Sequence, residues 1–310
     1  MRVLVTGASG FLGRALIAAL SSSKHKVRAS VRRTSAVEFP IDVAIAPLVD
    51  LKSTVDWTQS VDQVDTIVHL AGVAHAGPDI PDALYDRVNH CATAELAAAA
   101  RRAGVKQLVF VSSVRAQSGP IADHVLTEAD EPRPTDAYGR SKLAAESAVR
   151  DSGVPFTVLR PVLIYGPGVK GNFAALARLA CSWLPLPFGL FHNHRSLLSR
   201  DNLVTAVQFV LSRTPSGETY LVADAEPVSL ADIIASIRRG LGRSPGLFNM
   251  PPSLIRTALL IAGRETLWSR LSGDLVVNPN KLIRAGWRPA GNTKATLSGM
   301  AAAWREIVQA

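Results

Sequence analysis

The sequence predicts an α/β fold of the doubly wound type, a parallel sheet covered by helices on both faces. Two observations predict it. Apolar runs of strand length alternate with helical segments along the chain, and that alternation calls for parallel strands joined by right-handed crossovers. At the start, a strand, a glycine turn and a helix follow one another without a gap: Arg2-Val3-Leu4-Val5, then Thr6-Gly7-Ala8-Ser9-Gly10-Phe11-Leu12-Gly13, then Arg14-Ala15-Leu16-Ile17-Ala18-Ala19-Leu20.

The glycine turn reads as a Rossmann-type dinucleotide site. Gly7 permits the tight turn, Gly10 lets the backbone approach a pyrophosphate, and Gly13 lets the helix lie close on the strand. The free N–H groups and positive dipole end of that helix suit an anion, so Ser9, Phe11 and Leu12 are assigned to the cofactor with the three glycines. The spacing is Gly-x-x-Gly-x-x-Gly rather than Gly-x-Gly-x-x-Gly. The second strand, His25 to Val31, ends where an NAD enzyme places an acid against the ribose 2′-hydroxyl. Here Val31 is followed by Arg32 and Arg33. No carboxylate repels a 2′-phosphate, and guanidinium groups suit phosphate through forked hydrogen bonds. NADP is the expected cofactor, with NAD the alternative.

Tyr138 and Lys142, in Tyr138-Gly139-Arg140-Ser141-Lys142, stand one above the other on a helix face. A phenol titrates near 10; a fixed positive neighbour lowers that value toward the range where a general acid or base works. With the glycine turn, this pair resembles the extended short-chain dehydrogenase/reductases, the nucleotide-sugar epimerases, dehydratases and 4-ketoreductases. The resemblance covers most of the chain. It implies that a serine at the end of the strand Leu108 to Val111 completes a Ser-Tyr-Lys set, with Ser113 chosen and Ser112 its rival. It also implies cofactor contacts at Asp50 and Leu51, at Leu70, Ala71 and Gly72 after a further strand, at Asn89, and at Pro161 ending the strand from Phe156. In the family's chemistry the tyrosine exchanges a proton with a sugar oxygen as hydride moves, the serine holds that oxygen, and the lysine holds the nicotinamide ribose.

A dehydratase is disfavoured, because that branch carries Asp-Glu after its catalytic residue and Ser113 is followed by Val114-Arg115-Ala116. The expectation is a 4-ketoreductase on a UDP-linked sugar for surface polysaccharide. A UDP-hexose 4-epimerase with retained NAD is the alternative. Leu163, where the UDP-galactose 4-epimerases keep an asparagine, weighs against the latter. The family places substrate contacts at Asn172, Phe173, Arg195 and Arg270, the arginines on the diphosphate. The resulting division is a dinucleotide domain over 1–165, with 197–225 returning to it, and a smaller, mixed substrate domain over 166–196 and 226–310.

Composition sets the remaining limits. The 310 residues suggest about two domains, and 47% hydrophobic content supplies a core. The first strand follows Met1 directly, no apolar run reaches membrane-spanning length, and a cytoplasmic enzyme without stable membrane insertion is expected. Trp183 to Phe191 and Leu254 to Ala262 are expected to line the substrate domain, with a peripheral membrane contact as their other use. Cys91 and Cys181 form no framework and are expected to be reduced and buried; His192 and His194 lack a third ligand, so no metal is expected. The net charge of +9 admits a nucleic-acid binder, but the basic residues are scattered as pairs, and steering of anionic cofactor and substrate explains the charge more simply. A regulatory protein that senses NADP without chemistry is the non-enzymatic alternative, opposed by the intact Ser113, Tyr138 and Lys142. Alanine-rich faces on the helices near 92–103 and 138–149 predict a homodimer.

Overall fold

A computed structural model describes residues 1–23, 25–32, 39–48, 50–74, 80–215 and 217–301; Arg33 and the side chain of Arg270 lie outside what is described. The chain opens with β1 (Arg2–Thr6), α1 (Phe11–Ser22), β2 (Lys26–Val31), β3 (Ala44–Pro47), α2 (Thr58–Val61), β4 (Thr66–His69) and α3 (Asp82–Tyr85). A π-helical segment, Asp86–Cys91, runs into α4 (Ala92–Arg102), followed by β5 (Gln107–Val111), a 3-10 turn (Val114–Ala116), α5 (Ala137–Asp151), β6 (Phe156–Pro161), β7 (Leu163–Tyr165) and α6 (Gly171–Cys181). Then come β8 (Leu197–Ser199), α7 (Arg200–Leu211), β9 (Thr219–Val222), α8 (Leu230–Gly240), α9 (Pro252–Ile261), α10 (Glu265–Ser272), α11 (Asn280–Ala285) and α12 (Thr293–Gly299).

Seven strands form one parallel sheet in the order β3-β2-β1-β4-β5-β6-β9, the Rossmann-type arrangement expected. Its central strands are apolar along their whole length because both faces are covered: every residue of β4 and β5 is buried. Strand order reverses at β1, where the C-terminal Thr6 is in register with Ser30 on one side and His69 on the other. Ligands bind at such a switch point, outside the carboxyl ends of the strands. A core of Leu4, Trp57, Ile67, Leu96, Leu108, Phe110 and Val158 lies under one face.

The chain divides into two compact units. Met1–Gly119, Glu128–Pro161 and Leu203–Val222 form the first; Pro120–Thr127, Val162–Asn202 and the described part of Ala223–Ala310 form the second. The expected boundary at 165 and return over 197–225 compare with 161 and 203–222, because β7 pairs with β8, Leu163 against Leu197, inside the second unit. Residues 120–127 join that unit through Ala122 N, which donates to Asp274 O (2.8 Å), and Leu126 N, which donates to Val276 O (2.9 Å). Helix α8 organises it. A capping box between Ser229 and Asp232 starts the helix, and Leu230, Ile233, Ile234 and Ile237 form its buried stripe. Among the described residues no helix is long and apolar enough to cross a membrane.

Candidate active site

The glycine turn is fixed by space as well as by conformation. Gly7 has φ +68°, and a Cβ there would stand 2.8 Å from Ala71 N; a Cβ on Gly13 would stand 2.3 Å from Gly7 O. Gly10 N donates to Gly7 O (3.0 Å), and Gly10 begins α1 with no side-chain cap. The orphan N–H groups of the first helical turn therefore meet an exposed loop at Ser9 and Gly10, a cradle that fits a dinucleotide pyrophosphate. Arg32 is exposed directly after β2. Asp50 is exposed and accepts from Lys52 N (3.1 Å), while Leu51 is buried in the core.

The turn after β4 is held by a chain of buried polar groups. Leu70 N and Ala71 N both donate to Thr6 Oγ1 (3.2 Å each). Thr6 Oγ1 lies 2.6 Å from His69 Nδ1, and His69 Nε2 lies 2.9 Å from Thr93 Oγ1, which itself donates to Asn89 O (2.6 Å). Because Thr93 spends its proton on Asn89 O, the network assigns the hydrogen to His69 Nε2 and leaves Nδ1 to accept from Thr6. Burial, with the nearby Lys142 charge, pushes the His69 pKa down to about 3. His69 is thus a neutral brace. Asn89 sits in the π-helical segment, a feature frequent at functional sites. Its Oδ1 accepts from Val73 N (2.8 Å), and its Nδ2 donates to Val73 O (3.1 Å) and Ser141 Oγ (3.0 Å). A Cβ on Gly72 would meet Asn89 Oδ1 at 2.8 Å and Lys142 Nζ at 4.0 Å. One side chain thus ties the expected cofactor turn to the helix carrying Tyr138 and Lys142.

The structure brings Ser113, Tyr138 and Lys142 together. Ser113 Oγ caps the 3-10 turn by accepting from Arg115 N (3.1 Å) and hydrogen-bonds the Tyr138 phenol. The rival, Ser112, points elsewhere: its hydroxyl donates to Glu146 Oε1 (2.6 Å). Helix α5 reaches this turn because residue 139 has no side chain, a Cβ there standing 2.2 Å from Arg115 O. Asp136 caps the helix by accepting from Gly139 N (2.7 Å) and pairs with Arg115. Lys142 is buried, donates from Nζ to Val111 O (2.9 Å), and lies 4.5 Å from the centroid of the Phe110 ring.

Electrostatics correct one expectation. Burial raises the Tyr138 pKa, and what opposes the rise is the Ser113 hydrogen bond and the Arg115 charge, not Lys142. Tyr85, edge-on to Tyr138 at 6.1 Å between centroids, belongs to the same enclosure. Desolvation lowers Lys142 from 10.5 to about 8; the lysine is itself too buried to be an unperturbed positive charge. Its counterweight is Glu146, one turn on, which raises it. Glu146 is fully buried and receives Arg160 Nε (2.9 Å) and Nη2 (2.7 Å), Arg150 Nη2 (3.1 Å) and Ser112. Sequence reasoning missed this cluster, although the spacing Lys142, Glu146, Arg150 along one helix face signals it.

The expected substrate residues belong to the second unit. Asn172 is exposed in the first turn of α6. Phe173 is buried, and its ring stacks on Tyr165 (5.6 Å, 25°). Tyr165 is anchored to Asp224 (2.8 Å), which also receives Asn202 Nδ2 (2.7 Å). Arg195 is partly exposed. Its backbone pairs with Val228 and with Leu275, and its Nη2 donates to Pro120 O (3.4 Å). Both cysteines are free, but Cys91 is only partly buried, its thiol turned to Asp86 Oδ2 at 3.6 Å.

A glycine cradle at a switch point and a Ser-Tyr-Lys cluster at the end of β5 form the combination that the sequence resemblance implied. Residues 3–223 match the NAD dependent epimerase/dehydratase family. The UDP-glucose 4-epimerase of Vibrio cholerae is 31% identical over 299 residues, covering 93% of this chain and 90% of that one. The 4-hydroxy-2-methyl-3-oxo-4-farnesyl-3,4-dihydroquinoline-1-oxide ketoreductase of Stigmatella aurantiaca is 29% identical over 280 residues, 87% and 82% of the two chains. Among solved structures, MoeE5 in complex with UDP-glucose and NAD is similar with TM-score 0.78 and 25% identity over 99% of both chains. With the family match spanning the whole parallel sheet and both halves of the Ser-Tyr-Lys cluster, the chain belongs to the NAD dependent epimerase/dehydratase family, enzymes of the extended short-chain dehydrogenase/reductase type.

Proposed function

We propose that this protein reduces a 4-keto group on a UDP-linked sugar with NADPH, in keeping with a role in surface-polysaccharide synthesis. The observation that carries the reading is the meeting of Ser113, Tyr138 and Lys142 beside the glycine cradle. A bound nicotinamide dinucleotide supplies the hydride. Tyr138, kept protonated by burial, gives its proton to the ketone oxygen, while Ser113 donates a hydrogen bond to the same oxygen and steadies the developing negative charge. Lys142, whose Nζ lies above the Phe110 ring, would hold the nicotinamide ribose, and the Ser113 hydrogen bond and the Arg115 charge favour the phenolate left as the proton leaves. Arg32, with no carboxylate at the end of β2, supports the 2′-phosphate. Asn172 and Arg195, with Arg270, are proposed to hold the diphosphate.

A second reading is favoured by the 31% identity to a UDP-glucose 4-epimerase over nearly the whole chain: retained NAD and alternate oxidation and reduction at C4. The test is to supply purified protein with NADPH and a UDP-4-keto-6-deoxyhexose. Stoichiometric NADPH oxidation is expected. Copurifying NAD with interconversion of UDP-hexoses and no net NADPH consumption would replace the reductase by the epimerase. Tyr138→Phe is expected to lower turnover by about 10²–10⁴-fold with NADPH affinity nearly unchanged; full activity in that variant would overturn both readings.

A further inference from the structure

The second unit carries an apolar surface that its own fold leaves uncovered. Helix α9 contains Leu254, Ile255, Leu259, Leu260 and Ile261, yet none of its ten residues is buried. Its inner side, Ile255 and Leu259, is partly covered. Leu254, Ala258 and Ile261, at i, i+4 and i+7, form a stripe facing water, with Leu254 59% and Ile261 84% exposed. Helix α8 of the same unit, by contrast, buries its Leu and Ile residues.

A second exposed apolar group of the same unit lies in the segment after α6. Trp183 is 81% and Leu184 65% exposed. This segment is built rigidly onto the chain that leads into α9. The buried Arg238 donates to Ala180 O (3.0 Å), Ser182 O (3.2 Å) and Leu184 O (2.7 Å) on one side, and to Pro245 O (2.9 Å) and Gly246 O (3.0 Å) on the other. Phe248 N then donates to Leu186 O (3.0 Å). Only Asn249, Met250 and Pro251 separate Phe248 from α9. An exposed tryptophan on a loop braced to the stretch of chain that enters an uncovered apolar helix is apolar surface that the unit's own fold leaves open.

Charge identifies the partner. Besides the buried Arg238, the chain carries Arg239, Arg243, Arg256 and Arg264 between Asp232 and Glu265 with no acid among them, and 171–200 likewise holds arginines and no carboxylate. The Arg243 guanidinium lies 3.6 Å over the Trp183 ring. Arg256 occupies α9 between the apolar residues, and Arg264 stands just beyond its end. Leucine, isoleucine and tryptophan mixed with arginine and free of acid suit the boundary between acyl chains and anionic headgroups, where apolar insertion and cationic attraction add.

We propose that the second unit docks on an anionic phospholipid bilayer through α9 and the Trp183–Leu184 segment, lying on the membrane without crossing it. The docking goes beyond the proposed reaction and is independent of it. The test uses the full chain and sedimentation with vesicles of phosphatidylcholine, alone or with about 30 mol% phosphatidylglycerol. The wild type is expected to bind the anionic vesicles roughly tenfold or more above the neutral ones, and to be released by salt as the headgroup charge is screened. Leu254→Ser with Ile261→Ser, and separately Arg256→Glu with Arg264→Glu, should each cut binding about tenfold while circular dichroism and melting temperature stay at wild-type values, since all four side chains are exposed. Absence of binding to anionic vesicles, or binding that both variants retain, overturns the proposal. So does a wild-type dimer that Leu254→Ser with Ile261→Ser dissociates in the absence of vesicle binding, which would assign the surface to a second copy.

Discussion

Lys142→Met should make the protein more stable at neutral pH and less stable at high pH. The buried ammonium of Lys142 is desolvated, and its pKa falls from 10.5 to about 8. Each tenfold loss of proton affinity is worth 1.36 kcal/mol, so keeping the charge in the folded state costs about 3 kcal/mol below pH 8. Because the folded form binds its proton less tightly than the unfolded form, wild-type stability rises with pH between about 8 and 10.5, where the unfolded chain is still protonated and the folded one is not. Methionine keeps the stem packing against Phe110 and removes the charge. It also removes the hydrogen bond to Val111 O, worth about 1 kcal/mol. The net expectation is a gain of about 2 kcal/mol at pH 7 that falls to about zero at pH 10, where the folded lysine is neutral but the unfolded one is still largely protonated, and becomes a loss of about 1 kcal/mol only above the unfolded pKa of 10.5. Urea unfolding of both proteins at about pH 7 and about pH 10 measures the two differences, since m should be shared. A stability difference of one sign and size at both pH values would refute the desolvation argument. Turnover should be lost in the variant at every pH, which would place a functional group in a position that costs stability.

Glu146→Leu should destabilise the first unit by about 3–5 kcal/mol, because it leaves the buried Arg160 guanidinium without its counter-charge; Glu146→Leu with Arg160→Met should recover most of the loss in thermal melts, and failure to recover would show that the pair does more than neutralise itself. A homodimer through α4 and α5 is proposed from the small outward residues Ala144 and Ser147 of α5 and Ala98 of α4. Light scattering should give twice the 33.0 kDa chain mass, and a monomer at micromolar concentration would count against it.

Much of the first unit was legible because its signals are local. The apolar runs at 108–111 and 156–161 and the glycine turn at 7–13 each prescribe strand, turn or helix from near neighbours, and a buried parallel strand needs apolar residues on both faces. The phenol and the ammonium of 138 and 142 were legible for the same reason, one turn of helix. Ser112 and Ser113 are told apart only in three dimensions, where Glu146, 34 positions away, takes the Ser112 hydroxyl and Ser113 caps the turn beside Tyr138. Phe173 shows the limit most plainly. Its place in a motif marked it for the substrate, and only the fold shows that its ring is buried against Tyr165.

By itself the sequence determined the class of fold and marked the glycine turn and the Tyr138–Lys142 pair, since each of these rests on spacing within a few residues. Only the tertiary structure decided the electrostatics and the surfaces. Burial, which no stretch of sequence contains, turned Tyr138 into a retained acid and Lys142 into a weakened base. The same cause operates in reverse at α9, an apolar helix that the sequence placed along the substrate domain and that the fold leaves exposed. In the second unit the apolar stripe of α8 is buried against α6 and α12, while none of the residues of α9 is buried.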